Sequence, residues 1–232
     1  MFFSLFLGNT EHLCTAGFGA VSLWDCETGT KLSLLSTGSS ITKTCGFSMS
    51  GNLVMACRKP AQSKGEKSKL IIFDIRDGSQ MREKPLQALN VDLSHSDPSD
   101  ECSVAVWCGL DKQIVLATER GEMQMWDLRS ALSRPEPVVR KKGHDGTIKD
   151  LQVSRDQTMV ISSSSDCTAK LWDAFQLEQF KVYKSDRPLN SAAIAPNKPH
   201  VSQKKKQNLD GVLLILFFHF QIDYHWWWSN GP

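Results

Sequence analysis

Hydrophobic residues along this chain fall in short runs of four to seven, broken by Gly, Ser, Asp, Asn and Pro. Runs of that length bounded by turn residues read as β-strands rather than helices. The clearest stretch begins at Gly143-His144. It predicts strands over 148–153, 159–163, 168–172 and 179–183, with turns at Ser154-Arg155-Asp156-Gln157 and Ser165-Asp166-Cys167. Four short strands joined by tight turns make one antiparallel unit. Two further quartets are predicted, over 41–47, 53–57, 69–73 and 86–91, and over 103–107, 113–117, 123–126 and 138–141. A front remnant covers 13–16, 20–24 and 32–35, and a rear one covers 189–195.

The third strand of each unit ends alike, in Trp24-Asp25, Phe73-Asp74, Trp126-Asp127 and Trp172-Asp173, spaced 49, 53 and 46 residues apart. Propeller blades with this dipeptide repeat at roughly 40–45 residues. The excess is accounted for by a Lys-rich insertion at 58–67 and a Ser/Asp/Pro loop at 94–100. The predicted fold is therefore all-β, an incomplete WD-repeat β-propeller of about three full blades and two partial ones. Residues 1–203 are assigned to this arc. From 204 the pattern changes: Lys204-Lys205-Lys206, an apolar run and Trp226-Trp227-Trp228 carry no blade signature. Residues 204–232 read as a divergent tail foreign to the propeller, such as read-through of an intron or a frameshift, rather than as a membrane-associating or nuclear-import segment. An open arc leaves sheet edges and blade faces exposed, which predicts poor solubility or marginal stability for the chain alone.

Composition narrows the class. Of 232 residues, 41% are hydrophobic and 22% charged, with a net charge of +2, so the overall balance gives no pull toward nucleic acid or acidic lipid. Seven scattered cysteines include no CxxC pair, which favours free thiols over a disulfide framework or a zinc site. The apolar residues 1–8 lack a positive leading region and are short for a secretion signal. The apolar run 212–218 is far below the roughly 18 residues of a membrane-spanning helix. A cytoplasmic location is expected.

Ser162, His144 and Asp166 are the residue types of a hydrolytic triad. A different reading is stronger. The resemblance to WD repeats, in which the His of the opening Gly-His, a Ser of the second strand, the Asp of the next turn and the Trp of the third strand form a buried hydrogen-bond relay, implies that role for His144, Ser162, Asp166 and Trp172; the spacing fits, with Asp166 four residues after Ser162 and six before Trp172. Phe18 and Arg120 stand where the first and third repeats would carry that Asp, so those blades are expected to rest on packing alone. Phe73-Asp74-Ile75-Arg76 and Trp126-Asp127-Leu128-Arg129 each place an Arg two residues after the Asp, read as a local salt bridge. No catalytic, cofactor-binding or metal site is expected, and no cofactor.

Three segments go beyond a generic repeat: Leu23-Trp24-Asp25-Cys26-Glu27-Thr28-Gly29, Leu151-Gln152-Val153-Ser154-Arg155-Asp156, and Asp186-Arg187-Pro188-Leu189-Asn190-Ser191-Ala192-Ala193. With them the chain, from about residue 9 to 201, resembles the subunit I family of eukaryotic translation initiation factor 3. That family has a closed seven-bladed propeller, from which this chain departs at both ends. The resemblance implies a non-catalytic scaffold of the initiation machinery. Its implied partners are a large b-type subunit, a small RNA-binding g-type subunit and, indirectly, the small ribosomal subunit, with no direct nucleic-acid or membrane contact. The two Arg-bearing boxes leave open a substrate receptor of a cullin ubiquitin ligase, and the repeat itself a receptor-kinase-associated adaptor.

Overall fold

A computed structural model describes residues 2–5, 12–58, 68–76, 100–131, 136–194 and 214–215. Almost everything described is antiparallel β-strand. The first blade is formed by β1 (Phe2–Leu5), β2 (His12–Ala16), β3 (Phe18–Asp25) and the first part of β4 (Lys31–Phe47). The second uses the remainder of β4 with β5 (Leu53–Arg58) and β6 (Lys69–Asp74). The third is β7 (Cys102–Cys108), β8 (Gln113–Thr118), β9 (Glu122–Asp127) and β10 (Val139–Lys142), with the four-residue helix α1 (Leu128–Ala131) after β9. The fourth is β11 (Ile148–Val153), β12 (Met159–Ser164), β13 (Thr168–Asp173) and β14 (Gln179–Lys184). A short β15 (Ala193–Ile194) pairs with β16 (Leu214–Ile215). The chain is an all-β WD-repeat propeller arc.

The strands pack on both faces. Alternate residues of β5 serve two interfaces: Val54 and Ala56 join Val21, Leu23 and Phe73 between the first and second blades, whereas Met55 and Cys57 join Trp107, Leu116 and Trp126 between the second and third. Met123, Met125, Leu151, Val160 and Trp172 fill the third-to-fourth interface, and Ile161, Ala169 and Leu171 meet Leu189 and Ala192 beyond it. The period-2 alternation of a strand thus builds blade contacts rather than one central core. Each blade depends on its neighbours, as the repeat pattern implies.

Three strand expectations change. Residues 32–35 and 41–47 were predicted as separate strands, but β4 is one 17-residue strand serving two blades. Gly38 bends it in the left-handed region at φ +100°, and a Cβ there would meet the Arg58 guanidinium at 2.2 Å. That guanidinium donates to the Thr37 carbonyl at 3.0 Å, while the Thr37 and Thr42 hydroxyls bond at 2.8 Å. These bonds satisfy the bend internally, so no loop is needed. Second, β1 pairs with β2 in the N-terminal region, where no strand was expected. Third, of the predicted rear strand 189–195, the described residues are strand only at Ala193–Ile194. The predicted strand at 86–91 lies outside the described residues.

Each signature Asp closes the turn that follows its strand. Asp25 accepts the Thr28 N–H at 2.8 Å, Asp127 those of Arg129 and Ser130 at 2.8 and 3.3 Å, and Asp173 those of Phe175 and Gln176 at 2.9 and 2.7 Å. An Asp side chain is suited to this because it mimics a backbone carbonyl one turn early. At the same end of the arc neighbouring blades are tied turn to turn: Asp111 receives the Met49 and Ser50 N–H groups, and Gln157 receives that of Leu110.

Candidate functional site

The four residues singled out in the last full repeat meet in one hydrogen-bond chain. His144 lies in the loop before β11, Ser162 on β12, Asp166 in the β12–β13 turn and Trp172 on β13. Ser162 Oγ lies 2.7 Å from His144 Nε2, and His144 Nδ1 lies 2.9 Å from Asp166 Oδ2. The Trp172 indole donates to Ser162 Oγ at 2.8 Å. One assignment satisfies every atom: the indole N–H donates to the hydroxyl, the hydroxyl to Nε2, and Nδ1–H to the carboxylate.

Thr168 also belongs to the group, although the spacing did not reveal it. Its hydroxyl donates to Asp166 Oδ1 at 2.7 Å and lies 3.0 Å from His144 Nδ1. The backbone N–H groups of Asp145 and Thr168 reach the same carboxylate at 3.1 and 2.9 Å. Burial works to raise the Asp166 pKa, but these hydrogen bonds and the facing imidazole outweigh it and hold the acid at about 2. Burial lowers the His144 pKa, with Asp166 pulling the other way, so the neutral ring is favoured.

The order Ser–His–Asp is that of a hydrolytic triad, but its placement is not. Ser162 is 0% exposed and His144 1%, and the oxygen that would attack is occupied by the indole N–H. A nucleophile must reach its substrate, and this one is sealed beneath the third blade. Gly121, in the β8–β9 turn, makes the seal. Its carbonyl accepts the N–H groups of both Gly143 and His144 at 2.9 Å. At φ +83° a Cβ on Gly121 would stand 2.2 Å from the His144 carbonyl oxygen, so only glycine permits that approach. Among the described residues no group of three or more His, Cys, Asp or Glu side chains could hold a metal ion. No helix among them is long and apolar enough to cross a membrane.

The other repeats correct the expectation that they rest on packing alone. In each blade one residue of the second strand lies opposite the residue two before the signature aromatic. Register makes Thr15, Ala56, Leu116 and Ser162 equivalent in this sense, opposite Ser22, Ile71, Gln124 and Lys170. Thr15 replaces Ser162 directly and accepts the Trp24 indole at 2.9 Å. Ala56 cannot accept, but Phe73 has no N–H to satisfy. Leu116 cannot accept either, and there Gln124 takes the Trp126 indole at 3.2 Å. Gln124 in turn donates to Glu122 at 2.7 Å, and Glu122 pairs with Arg140 at 3.2 Å. An indole buried without an acceptor costs about 1–3 kcal/mol, and the three signature Trp residues, Trp24, Trp126 and Trp172, each have one.

Of the two Arg-bearing boxes, Arg76 folds onto Asp74, with Nε at 2.9 Å from Oδ2, and depresses the carboxyl pKa. Arg129 meets Asp127 through its backbone N–H. The two boxes therefore do not share one geometry.

Comparison with known proteins matches the same region. The WD domain, G-beta repeat family covers residues 135–173, which contain the whole hydrogen-bond chain of the fourth blade. The chain is similar to eukaryotic translation initiation factor 3 subunit I of Nematostella vectensis, 36% identical over 192 residues, covering 83% of this chain and 55% of that protein. The Homo sapiens protein of the same name is 37% identical over 195 residues, 83% of this chain and 56% of that protein. That of Danio rerio is 39% identical over 179 residues, 77% and 51%. The chain spans about half the length of these curated relatives.

Proposed function

From the premise that this chain is a WD-repeat homologue of the subunit I proteins of eukaryotic translation initiation factor 3, we propose that it is a non-catalytic scaffold of translation initiation. The observation that carries this reading is the similarity itself, 36–39% identity spread over about four-fifths of the chain. The geometry supports scaffolding over catalysis. The one Ser–His–Asp arrangement that the sequence offers is buried and spent on an indole. In this reading His144, Ser162, Asp166 and Trp172 form a structural relay that fixes the fourth blade, and no cofactor is required.

Rigid blades suit such a role because a preformed surface is ordered before its partner arrives, which lowers the cost of association. The partners proposed are other subunits of the factor, the large b-type and the small RNA-binding g-type, with the small ribosomal subunit reached indirectly in the cytoplasm. Residues 1–203 form the scaffold in this proposal, and residues 204–232 lie outside it apart from Leu214–Ile215, which pair with Ala193–Ile194.

Affinity capture with the tagged full chain tests the proposal. Co-purification of initiation-factor subunits with small-subunit ribosomal proteins is the expected result. Recovery of a cullin adaptor, or of a membrane receptor kinase, in their place would reject it. Arg129→Ala and Arg76→Ala separate the ligase alternative further, because capture of an adaptor through the Arg-bearing boxes would be lost in those variants.

A further inference from the structure

Four of the cysteines meet two by two, each pair across a different blade interface. Cys14 on β2 and Cys45 on β4 lie in the apolar layer between the first and second blades. Cys57 on β5 and Cys102 on β7 lie in the layer between the second and third. Each is at most 6% exposed, and all four are free thiols. The Cys14 thiol shares a hydrogen bond with that of Cys45, and the Cys102 thiol shares one with that of Cys57. Strand register explains how the second blade serves both neighbours. Cys45 stands opposite Ala56 on the face toward the first blade, and Cys57 stands opposite Thr44 on the face toward the third.

A single buried thiol packs as a small apolar side chain. Cys108 in the third-to-fourth interface is of that kind: burial pushes its thiol up to about 12, against a hydrogen bond from the Val115 backbone. Two thiols in contact can do more, because together they can become one covalent bond. We propose that Cys14 with Cys45, and Cys57 with Cys102, are redox-responsive staples, each closing under oxidation into a disulfide that joins one blade to the next. While an interface stays shut its pair is protected. The Cys45 thiol and then burial raise the Cys14 pKa, and burial and then the Cys57 thiol raise that of Cys102. The reactive thiolate is therefore scarce in the closed state. Transient opening exposes the pair to a small-molecule disulfide such as oxidised glutathione. One cysteine thiolate attacks a sulfur of that reagent and releases one reduced molecule. The second thiolate attacks the mixed disulfide, forms the bridge and releases the other. The chain gives up two electrons, and the two protons end on the two released thiols. The bridged cysteines stand 31 and 45 residues apart in sequence, so each link restrains a long stretch of the unfolded chain. The first three blades become covalently joined, and the third-to-fourth interface does not. The proposal is independent of the reading in translation initiation.

Incubation of the full chain with oxidised glutathione, followed by non-reducing peptide mapping, tests it. The expected products are a Cys14–Cys45 and a Cys57–Cys102 linked peptide, with Cys108 left as a free thiol. Linking should accelerate in urea below the unfolding transition, because opening limits it. The linked chain should unfold with an equilibrium constant lowered about a hundred-fold, and a reducing agent should restore the original value. Cys45→Ala should remove the first linked peptide and keep the second, and Cys102→Ala the reverse. Cys26→Ser combined with Cys167→Ser should keep both. Far-ultraviolet circular dichroism shows whether each variant remains folded, and the map of the unaltered chain decides the matter for any that does not. Absence of either linked peptide, bridges scattered at random among the seven cysteines, or a linked chain no more stable than the reduced one would each overturn the proposal.

Discussion

The third and fourth blades bury the same indole in the same place and satisfy it by different routes. In the fourth the chain runs across strands, from Trp172 through Ser162 and His144 to the Asp166 carboxylate. In the third it runs along one strand, from Trp126 through Gln124 to the Glu122 carboxylate. Both end on an acid near the rim. What the blade requires is an acceptor for a buried N–H, and not one particular residue. The routes differ in reach. The third-blade network stays within its own sheet, on β9 and its neighbour β10. The fourth recruits a histidine whose backbone is bonded to the third blade at Gly121. A defect in the fourth-blade chain should therefore loosen an interface, and a defect in the third should stay local.

The largest effect expected separates burial from hydrogen bonding. Trp172→Ala and Trp126→Ala should each cost about 3–5 kcal/mol in urea unfolding, because both indoles are buried whatever accepts their N–H. Next, Ser162→Ala orphans the Trp172 N–H and His144 Nε2 together, whereas Gln124→Leu orphans the Trp126 N–H. At about 1–3 kcal/mol for each group left unpaired, the first should cost roughly twice the second. Equal costs would show that the cross-strand route carries no extra weight. The Phe73/Ala56 blade suggests a rescue: Trp126→Phe combined with Gln124→Leu should recover most of the loss, to within about 1 kcal/mol.

Acidity should distinguish the two blades more gently. The His144 pKa is held below its ordinary 6.5, so the folded state binds its proton less readily than the unfolded chain does. Its contribution is present above pH 6.5 and is lost as the pH falls through the lowered value. Asp166, depressed from 3.8 to about 2, keeps its contribution above pH 3.8 and loses it as the pH falls toward 2. Amide exchange should show the fourth blade opening first as the pH falls below 6.5, and His144→Gln should abolish that step. The smallest effect belongs to the exposed pair Lys43–Glu119, 3.0 Å apart, which bridges the second and third blades. Lys43→Met should cost under about 1 kcal/mol.

The sequence displayed the repeat plainly, because Trp-Asp at intervals of 46 to 53 residues survives loop insertions. The fourth-blade chain was visible as well, since its members stand at fixed offsets from Trp172. The substitutes elsewhere were harder to find. Thr15 lies nine residues before Trp24, where Ser162 lies ten before Trp172, and only strand register reveals the two as equivalent. Gln124 sits on the same strand as the indole that it serves, away from the offset where the fourth blade keeps its Asp. The continuity of β4 was hidden for another reason. Thr37-Gly38-Ser39-Ser40 has the composition of a loop, and the stitches that keep it in the sheet come from Arg58 and Thr42, which local composition does not weigh.

That uninterrupted β4 has a mechanical consequence. A strand woven into two sheets acts as a common beam, so force on one sheet is delivered to the other along seventeen residues of backbone rather than through a slack loop. The first two blades should therefore yield as one body when the molecule is stretched, while the third and fourth, joined through turns and side chains, part separately. Optical-tweezer traces would register the first pair as a single rip.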